Sequence, residues 1–458
     1  MFIKSRQIDM TNGPILKKLL RFSIPLILSS LLQLLFNAAD IIVVGRFAGD
    51  NSLAAVGSTG SLINLLVNLF MGLSIGTNVV VANFFGAGNS KQIKASIHTA
   101  ILLSILSGII LTLIGVPLAK PILILMKAPK EVLNLAAIYL RIYFSGMTAT
   151  MIYNFGSAIL RAKGDTQRPL FILFISGLLN VILNLIFVII FKMDVSGVAL
   201  ATIISQLLSA ILIIAILIKE KDDFHLDLKQ LKINIPIFLK IVKIGIPAGF
   251  QGIMFSFSNI IIQSSINSFG ATLIAGNSAA CNLEGFVYTS MNGFSQGALT
   301  FCSQNYGAGK IKRIKKVVWE SQLSIIVIGS LLSTIFLLFR RSLLGFYTSN
   351  PQVIEEGISR MWVIFSTYFL CGMMDSMASS IRGIGHSLPP VIMSMLGACV
   401  FRIIWLLTIF QIPTFHTPFI IFLSYPISWI LTFTAQLIYF LVHIKKLESN
   451  NDLLPKIR

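Results

Sequence analysis

Three carboxylates, Asp40, Glu284 and Asp375, stand inside long apolar runs. An acid at the centre of a membrane helix costs about 2.5–3.5 kcal/mol on insertion scales, so each needs an interior position, a partner or a task. A carboxyl group in that setting can relay a proton, and together with amide and hydroxyl oxygens it can hold a hard cation. Asp40 has Gln33, Phe36 and Asn37 at i−7, i−4 and i−3, so one face of its helix carries a polar stripe. Asn180 and Asn184 share a face at i,i+4, and Thr202, Ser205 and Gln206 offer further oxygens. Such groups either bond helix to helix or form an ion site. A lone acid is poor glue, so Asp40 is read as functional. Glu284 and Asp375 are candidate second titrating sites, with a structural ion pair to Arg402 as the competing reading. Gln251, Asn259, Gln263 and Asn267 fall on roughly one face of a helix, a face without charge.

The elements that must place these groups are membrane helices. Of 458 residues, 55% are hydrophobic and 12% charged, half the charge of a soluble domain, which is about 25%. That excludes an ordinary water-soluble protein, a disordered chain and a disulfide scaffold. The apolar runs reach 20 residues or more, as spanning helices require, and lack the ten-residue alternation of a barrel. Twelve helices are expected, near 20–44, 53–84, 95–118, 132–160, 169–191, 196–218, 241–267, 272–305, 317–339, 353–381, 388–410 and 416–442. The first run is too long, and lacks the small-residue site, for a cleaved signal peptide. An even count puts both termini on one side. With that side cytoplasmic, inner segments hold 26 of the 36 Lys and Arg and outer loops 7, which fits the bias of inner loops toward basic residues. The net charge of +19 is thereby mostly topological and calls for no nucleic-acid partner. Arg141 and Arg360 are expected near outer helix ends, with their side chains reaching the interface.

The chain also matches itself at a shift of about 221 residues. Ile24-Pro25 meets Ile246-Pro247, Gly72 meets Gly293, Gly76 meets Gly297, Gly86-Ala87-Gly88 meets Gly307-Ala308-Gly309, and Arg161, Gly164 and Pro169 meet Arg382, Gly385 and Pro390. Six helices per unit give both halves the same orientation, so the expected fold is all-α and polytopic. It has twelve transmembrane helices in two six-helix bundles related by a pseudo-two-fold axis along the membrane normal. The divisions are residues 1–218 for the first lobe, 219–240 for a cytoplasmic linker with a short interfacial helix near 235–243, 241–445 for the second lobe and 446–458 for a tail. The Gly-Ala-Gly turns read as helix-ending glycines, not phosphate loops. The four cysteines have no CxxC spacing, and no HExxH, GxSxG or GKS/T occurs, so no metal site or enzyme is indicated.

These pieces resemble the MATE (multidrug and toxic compound extrusion) transporters over nearly the whole chain. PLILSSLLQLLFNAADIIVVGRFAG, from Pro25 to Gly49, is similar to that family's first helix. FGAG at Phe85 to Gly88 and QNYGAGK at Gln304 to Lys310 resemble the ends of its helices 2 and 8. LRAKGDTQRP from Leu160 and IRGIGHSLPP from Ile381 resemble the turns after helices 4 and 10, and YPISW from Tyr425 resembles the last helix. The resemblance implies export of cationic amphipathic compounds in exchange for H⁺ or Na⁺ by alternating access, with no further cofactor. It places an amino-lobe cation site on Asp40, Asn180, Asn184 and Thr202. Many members carry Asp where Asn184 stands, which leaves Asp40 as the one titrating group of this cluster. Phe255 and Asn259 occupy the region where one branch has an acid, Glu284 resembles an acid of a related bacterial branch, and His386 replaces the expected Asp of the second turn.

The expected partners are cationic or amphipathic drugs, the coupling ion and the bilayer of the cell membrane, with both termini cytoplasmic and the chain a monomer. Candidate drug contacts are Gln33, Phe36, Asn37, Met71, Gln251, Met254, Phe255, Asn259, Met291, Phe294 and Arg402, since Met and aromatic residues suit promiscuous binding. Two rival readings are a flippase for lipid-linked oligosaccharides, which would want several cations in its cleft, and a membrane-embedded enzyme, which would want a His/Asp or metal cluster.

Overall fold

The computed structural model describes residues 7–126 and 129–449, and within them the chain is helical, with no strand. Among the described residues twelve long helical stretches occur, besides a short helix Arg340–Gly345 and three single turns: α1 Ile15–Phe47, α2 Asp50–Gly86, α3 Ser90–Leu125, α4 Lys130–Ser145 continuing as Met147–Lys163, α5 Gln167–Leu185 running on into Ile186–Ile190, and α6 Asp194–Lys219. There follow α7 Ile235–Asn267, α8 Ala271–Gly307, α9 Ile311–Leu338, α10 Pro351–Phe365 with Tyr368–Gly383, α11 from Leu388–Ser394 through Met395–Val400 to Phe401–Leu407, and α12 Pro418–Ser449. The basic residue Lys127 and the tail beyond residue 449 lie outside the described residues, as do Lys4 and Arg6.

Among the described residues nine of these helices are long and apolar enough to cross a membrane singly, and the bent pairs α4 and α10 add two more. The protein is thus a multi-pass membrane protein. The remaining helix, α8, carries Asn277, Glu284 and Asn292; Asn277 and Glu284 are buried, so that polarity is turned inward rather than toward lipid. Several helices overrun the apolar runs that announce them. α3 passes straight through Pro117 and Pro121 to Leu125. In a membrane, unsatisfied backbone groups are too costly for the chain to abandon the helix, and neighbouring turns absorb the missing bond.

The repeat reappears in backbone detail. α4 bends by 48° after Ser145 and α10 by 47° after Phe365. Glycines with positive φ occur as pairs at the repeat spacing: Gly49 and Gly270, Gly88 and Gly309, Gly164 and Gly385. After α2, the N–H of Asn89 bonds to Phe84 O and that of Gly88 to Phe85 O; after α8, Lys310 bonds to Asn305 O and Gly309 to Tyr306 O. Both Gly-Ala-Gly turns are therefore Schellman caps whose left-handed residue must be glycine.

The chain forms two compact units, one made of residues up to Asp9 and Leu28–Gly249, the other of Met10–Ile27 and the chain from Phe250. The division cuts α1 and α7, so each of these helices contributes to both units. In the first unit, Cβ atoms at Gly72 and Gly76 would strike the backbone of α7 at Gly249 and Gly245. In the second, Cβ atoms at Gly293 and Gly297 would meet α1 at Ile27, Ser23 and Leu19. Small residues four apart admit this close approach of helices in a bilayer.

The segment expected as a cytoplasmic linker is a strap pinned to the first unit. Lys163, 2% exposed, is paired with Glu220 and with Asp222 at 2.5 Å, and sits 5.1 Å above the ring of buried Phe224. Glu220 also pairs with Arg168, Asp223 accepts from Ser90 at 2.6 Å, and Leu226 N bonds to Leu217 O at 3.0 Å. Its charges of both signs pair with one another and with the first unit's basic residues. No separate short helix occupies 235–243; those residues are the first turns of α7.

Candidate functional site

Asp40 sits nearly four-fifths of the way along α1, half-buried, and Phe36 one turn earlier rests its ring on Gly177 of α5, where no Cβ would fit. Gly177, Asn180 and Asn184 share one face of α5 at i, i+3 and i+7, so this helix meets α1 with a bare patch at one level and two amides at the next. The Nδ2 of Asn184 donates to Asp40 Oδ1 and, at 3.3 Å, to Asn180 Oδ1. Asn180 Nδ2 donates to Thr202 Oγ1 of α6 at 3.4 Å, and Thr202 Oγ1 donates in turn to Val198 O at 3.0 Å. The four residues named from the sequence thus form one chain of hydrogen bonds across three helices. Among the described residues Asp40 takes part in no ion pair. Asn184 is fully buried and its Oδ1 has no hydrogen-bond partner. A carboxylate beside an unused amide oxygen is a set that a proton or a hard cation would complete.

Sequence reasoning missed Tyr139 and Tyr143 of α4. Their rings stack with centroids 6.0 Å apart, and both phenols lie within electrostatic reach of Asp40. Their i,i+4 spacing was the available signal, but no acid beside them in the apolar part of α4 drew attention to it. Gln33 and Asn37 are exposed, and Met71 is half-buried.

In the second unit the acids have different company. Glu284 of α8 accepts from Arg360 of α10 at 2.6 Å (Nε to Oε1) and 3.0 Å (Nη2 to Oε2). Arg360 Nη1 donates to Asn277 at 2.8 Å, and the bonds run on through Gln263 to Asn267. Arg360 is only 3% exposed, which corrects its expected place at the interface; Arg141 is exposed. The ion pair foreseen for Glu284 exists, but with Arg360 and not Arg402. A proton reaching Glu284 would have to displace a bidentate guanidinium, so Glu284 is a poor titrating site. Asp375 accepts from Tyr288 OH at 2.8 Å and lies 3.5 Å from Asn292 Nδ2, with no ion pair among the described residues.

Several expected drug contacts are internal struts. Met291 and Phe294 are 0% and 1% exposed, and Met291 Sδ fills the space left by Gly329 and Gly372. Gln251 is buried, accepting from Arg382 and donating to Ser394 Oγ at 3.2 Å. These three offer no free surface, since packing in this unit takes them up. Met254 and Phe255 are half-buried and Asn259 is exposed.

Comparison with known proteins agrees with this architecture. The MatE family model matches residues 25–186 and again 247–408, two stretches that start at the paired prolines. The probable multidrug resistance protein YoeA of Bacillus subtilis is 26% identical over 381 residues, 82% of each chain. The probable multidrug resistance protein NorM of Thermotoga maritima is 26% identical over 394 residues, 84% of each. An outward-facing structure of a multidrug resistance MATE family transporter of the MOP superfamily has a TM-score of 0.90 at 21% identity, covering 98% of this chain and 100% of that one.

Proposed function

The chain belongs to the MatE family, and from that premise we propose that it is a secondary active exporter of cationic amphipathic compounds, driven by an inward flow of H⁺ and working by alternating access. Its relatives' description as multidrug resistance proteins supports the substrate class. The observation that carries the coupling is the company of Asp40: a carboxylate bonded by neutral amides, with no basic partner among the described residues. Such a group takes up and gives back a proton without stranding a counter-charge. Asn184, an amide where many family members have a second acid, favours H⁺ over a tightly held Na⁺, because a hard cation binds better as carboxylate charges accumulate.

The membrane potential supplies about 2.3 kcal/mol per charge per 100 mV, enough for roughly a 50-fold gradient of a neutral compound. A monocation moving outward opposes the same field, so its export draws on the pH difference or on a second proton. Asp375, held by neutral groups, is the candidate for that second site. The cell membrane, cytoplasmic termini and a monomeric state complete this reading; the basic bias of the inner segments supports the orientation.

The test is dye efflux in reconstituted vesicles under separately imposed proton and sodium gradients. The parent should respond to the proton gradient, and Asp40→Asn, present at normal level, should lose that response. Unchanged proton-driven efflux in the variant removes Asp40 from the mechanism, and response to sodium alone reverses the choice of ion.

A further inference from the structure

At the bend of α4 a cavity of about 530 Å³ lies against α6. Its floor is made of small residues, Gly146 and Ala149 of α4 with Ala210 and Ala215 of α6, the first three of them buried. Its rim is Leu207, Ile211 and Ile218, which follow one stripe of α6 and are exposed. Behind it the two helices touch, since Cβ atoms at Gly146 and Gly156 would strike Ile203 and Ile213 of α6. The hollow is therefore a furrow in the surface, continuous with the apolar face that α6 turns to the bilayer. From Ile203 to Ile218 it runs about 22 Å at the helical rise, toward the end of α6 at Lys219. At the repeat spacing Thr367 and Leu370 stand for Gly146 and Ala149, so the bend of α10 carries larger side chains.

The chemistry of the lining selects the occupant. Its polar groups are two hydroxyls at the bend, and that of Ser145 donates to Ile142 O at 2.6 Å, so water finds too few partners to stay. The lining holds no charge, so a cation would be stranded there. An empty furrow would forfeit dispersion contacts along its length. A lipid tail brings only apolar surface, and the branched walls are stiff enough to keep a shape for it. One leaflet is half of a hydrocarbon core about 30 Å thick, so a single tail lying aslant fits the length. At the far end Lys219 and Lys221 are exposed, while Glu220 between them turns to Lys163 and Arg168. That end is complementary to a phosphate headgroup.

We propose that the furrow between α4 and α6 binds one acyl chain of an anionic phospholipid, with the phosphate at Lys219 and Lys221 and the tail ending at the α4 bend. The assignment does not draw on the exporter reading.

Photolabelling of the full-length protein in uncharged detergent tests it, with phosphatidylglycerol carrying a diazirine midway along one chain. Labelling of residues 145–152 and 203–218 should saturate, at lipid concentrations that leave the exposed face of α9 around Leu323 and Leu331 unlabelled. Ala215→Phe fills the furrow from a half-buried position and should abolish the saturable labelling. Ile211→Trp covers it from the exposed rim, and serves where the first variant fails to fold. Replacing Lys219 and Lys221 together by Gln should raise the half-saturating concentration roughly 5-fold or more, as loss of attraction to an anionic headgroup requires. Labelling that does not saturate, that marks α9 equally, or that survives both filling variants overturns the site. So does displacement by a cationic dye in preference to unlabelled phospholipid, which would give the furrow to transported compounds. An unchanged half-saturating concentration without the two lysines overturns the placing of the headgroup.

Discussion

Asp40 and Glu284 are both acids within membrane helices, and their neighbours make them different objects. Asp40 meets the amide of Asn184; Glu284 meets both arms of a guanidinium. Neutralising the first leaves an acceptor and a donor still able to bond. Neutralising the second strands Arg360 in a medium that does not tolerate a lone charge. The comparison separates an acid kept for exchange from an acid kept for cohesion, although both are equally anomalous in the sequence.

Substitutions that remove each charge should break the pair apart most clearly. Glu284→Gln should lower stability in detergent by about 3–5 kcal/mol, seen as a large drop in the thermal midpoint, and Arg360→Met added to it should recover most of the loss. Asp40→Asn should leave the midpoint within the range of a surface change while abolishing proton-driven efflux. If the two variants lose stability alike, the distinction fails.

A smaller effect sharpens the first half of the comparison. Gly177→Ala places a methyl group in the ring of Phe36 and should cost about 1–3 kcal/mol by overpacking, with Phe36→Leu relieving it. Because Phe36 lies one turn before Asp40, transport should fall more than stability does.

The smallest concerns the duplicated turns. Gly164 and Gly385 hold φ of +95° and +87°, so alanine at either should cost about 1–2 kcal/mol. A Cβ at Gly164 would also press on the N-terminal segment at Ile8, whereas nothing lies within 4 Å at Gly385. Thermal unfolding should therefore show Gly164→Ala as the worse of the two, and equal losses would mean that the contact with Ile8 carries no weight.

Much of this was readable in advance because the bilayer is a strict solvent. It forces long apolar helices, isolates every intramembrane charge, and makes a duplication visible through paired glycines and prolines. Asp40, Asn180, Asn184 and Thr202 could be grouped through helical periodicity together with the family resemblance. What periodicity cannot give is which helix faces which. Arg360 was misplaced because a position near a helix end says nothing about the acid on α8. Met291 and Phe294 were misjudged because soft apolar side chains look the same in a drug pocket and in a packed interior. The second turn shows a further limit: His386, in the register of Asp165, bonds Tyr439 at 3.0 Å and lies with its ring 4.1 Å from that of His443, tilted by 57°, while Asp165 pairs with Arg168. The backbone was copied and the chemistry was not.

The reciprocal trade of half-helices makes each repeat depend on the other. Glycines of α2 are filled by α7, and their counterparts in α8 by α1, so each duplicated bundle is finished by a segment that the chain encodes with the other copy. A half-length forerunner would have lacked that piece unless two such molecules lent it to one another. Cut at the repeat boundary, either half would leave its own glycine face bare.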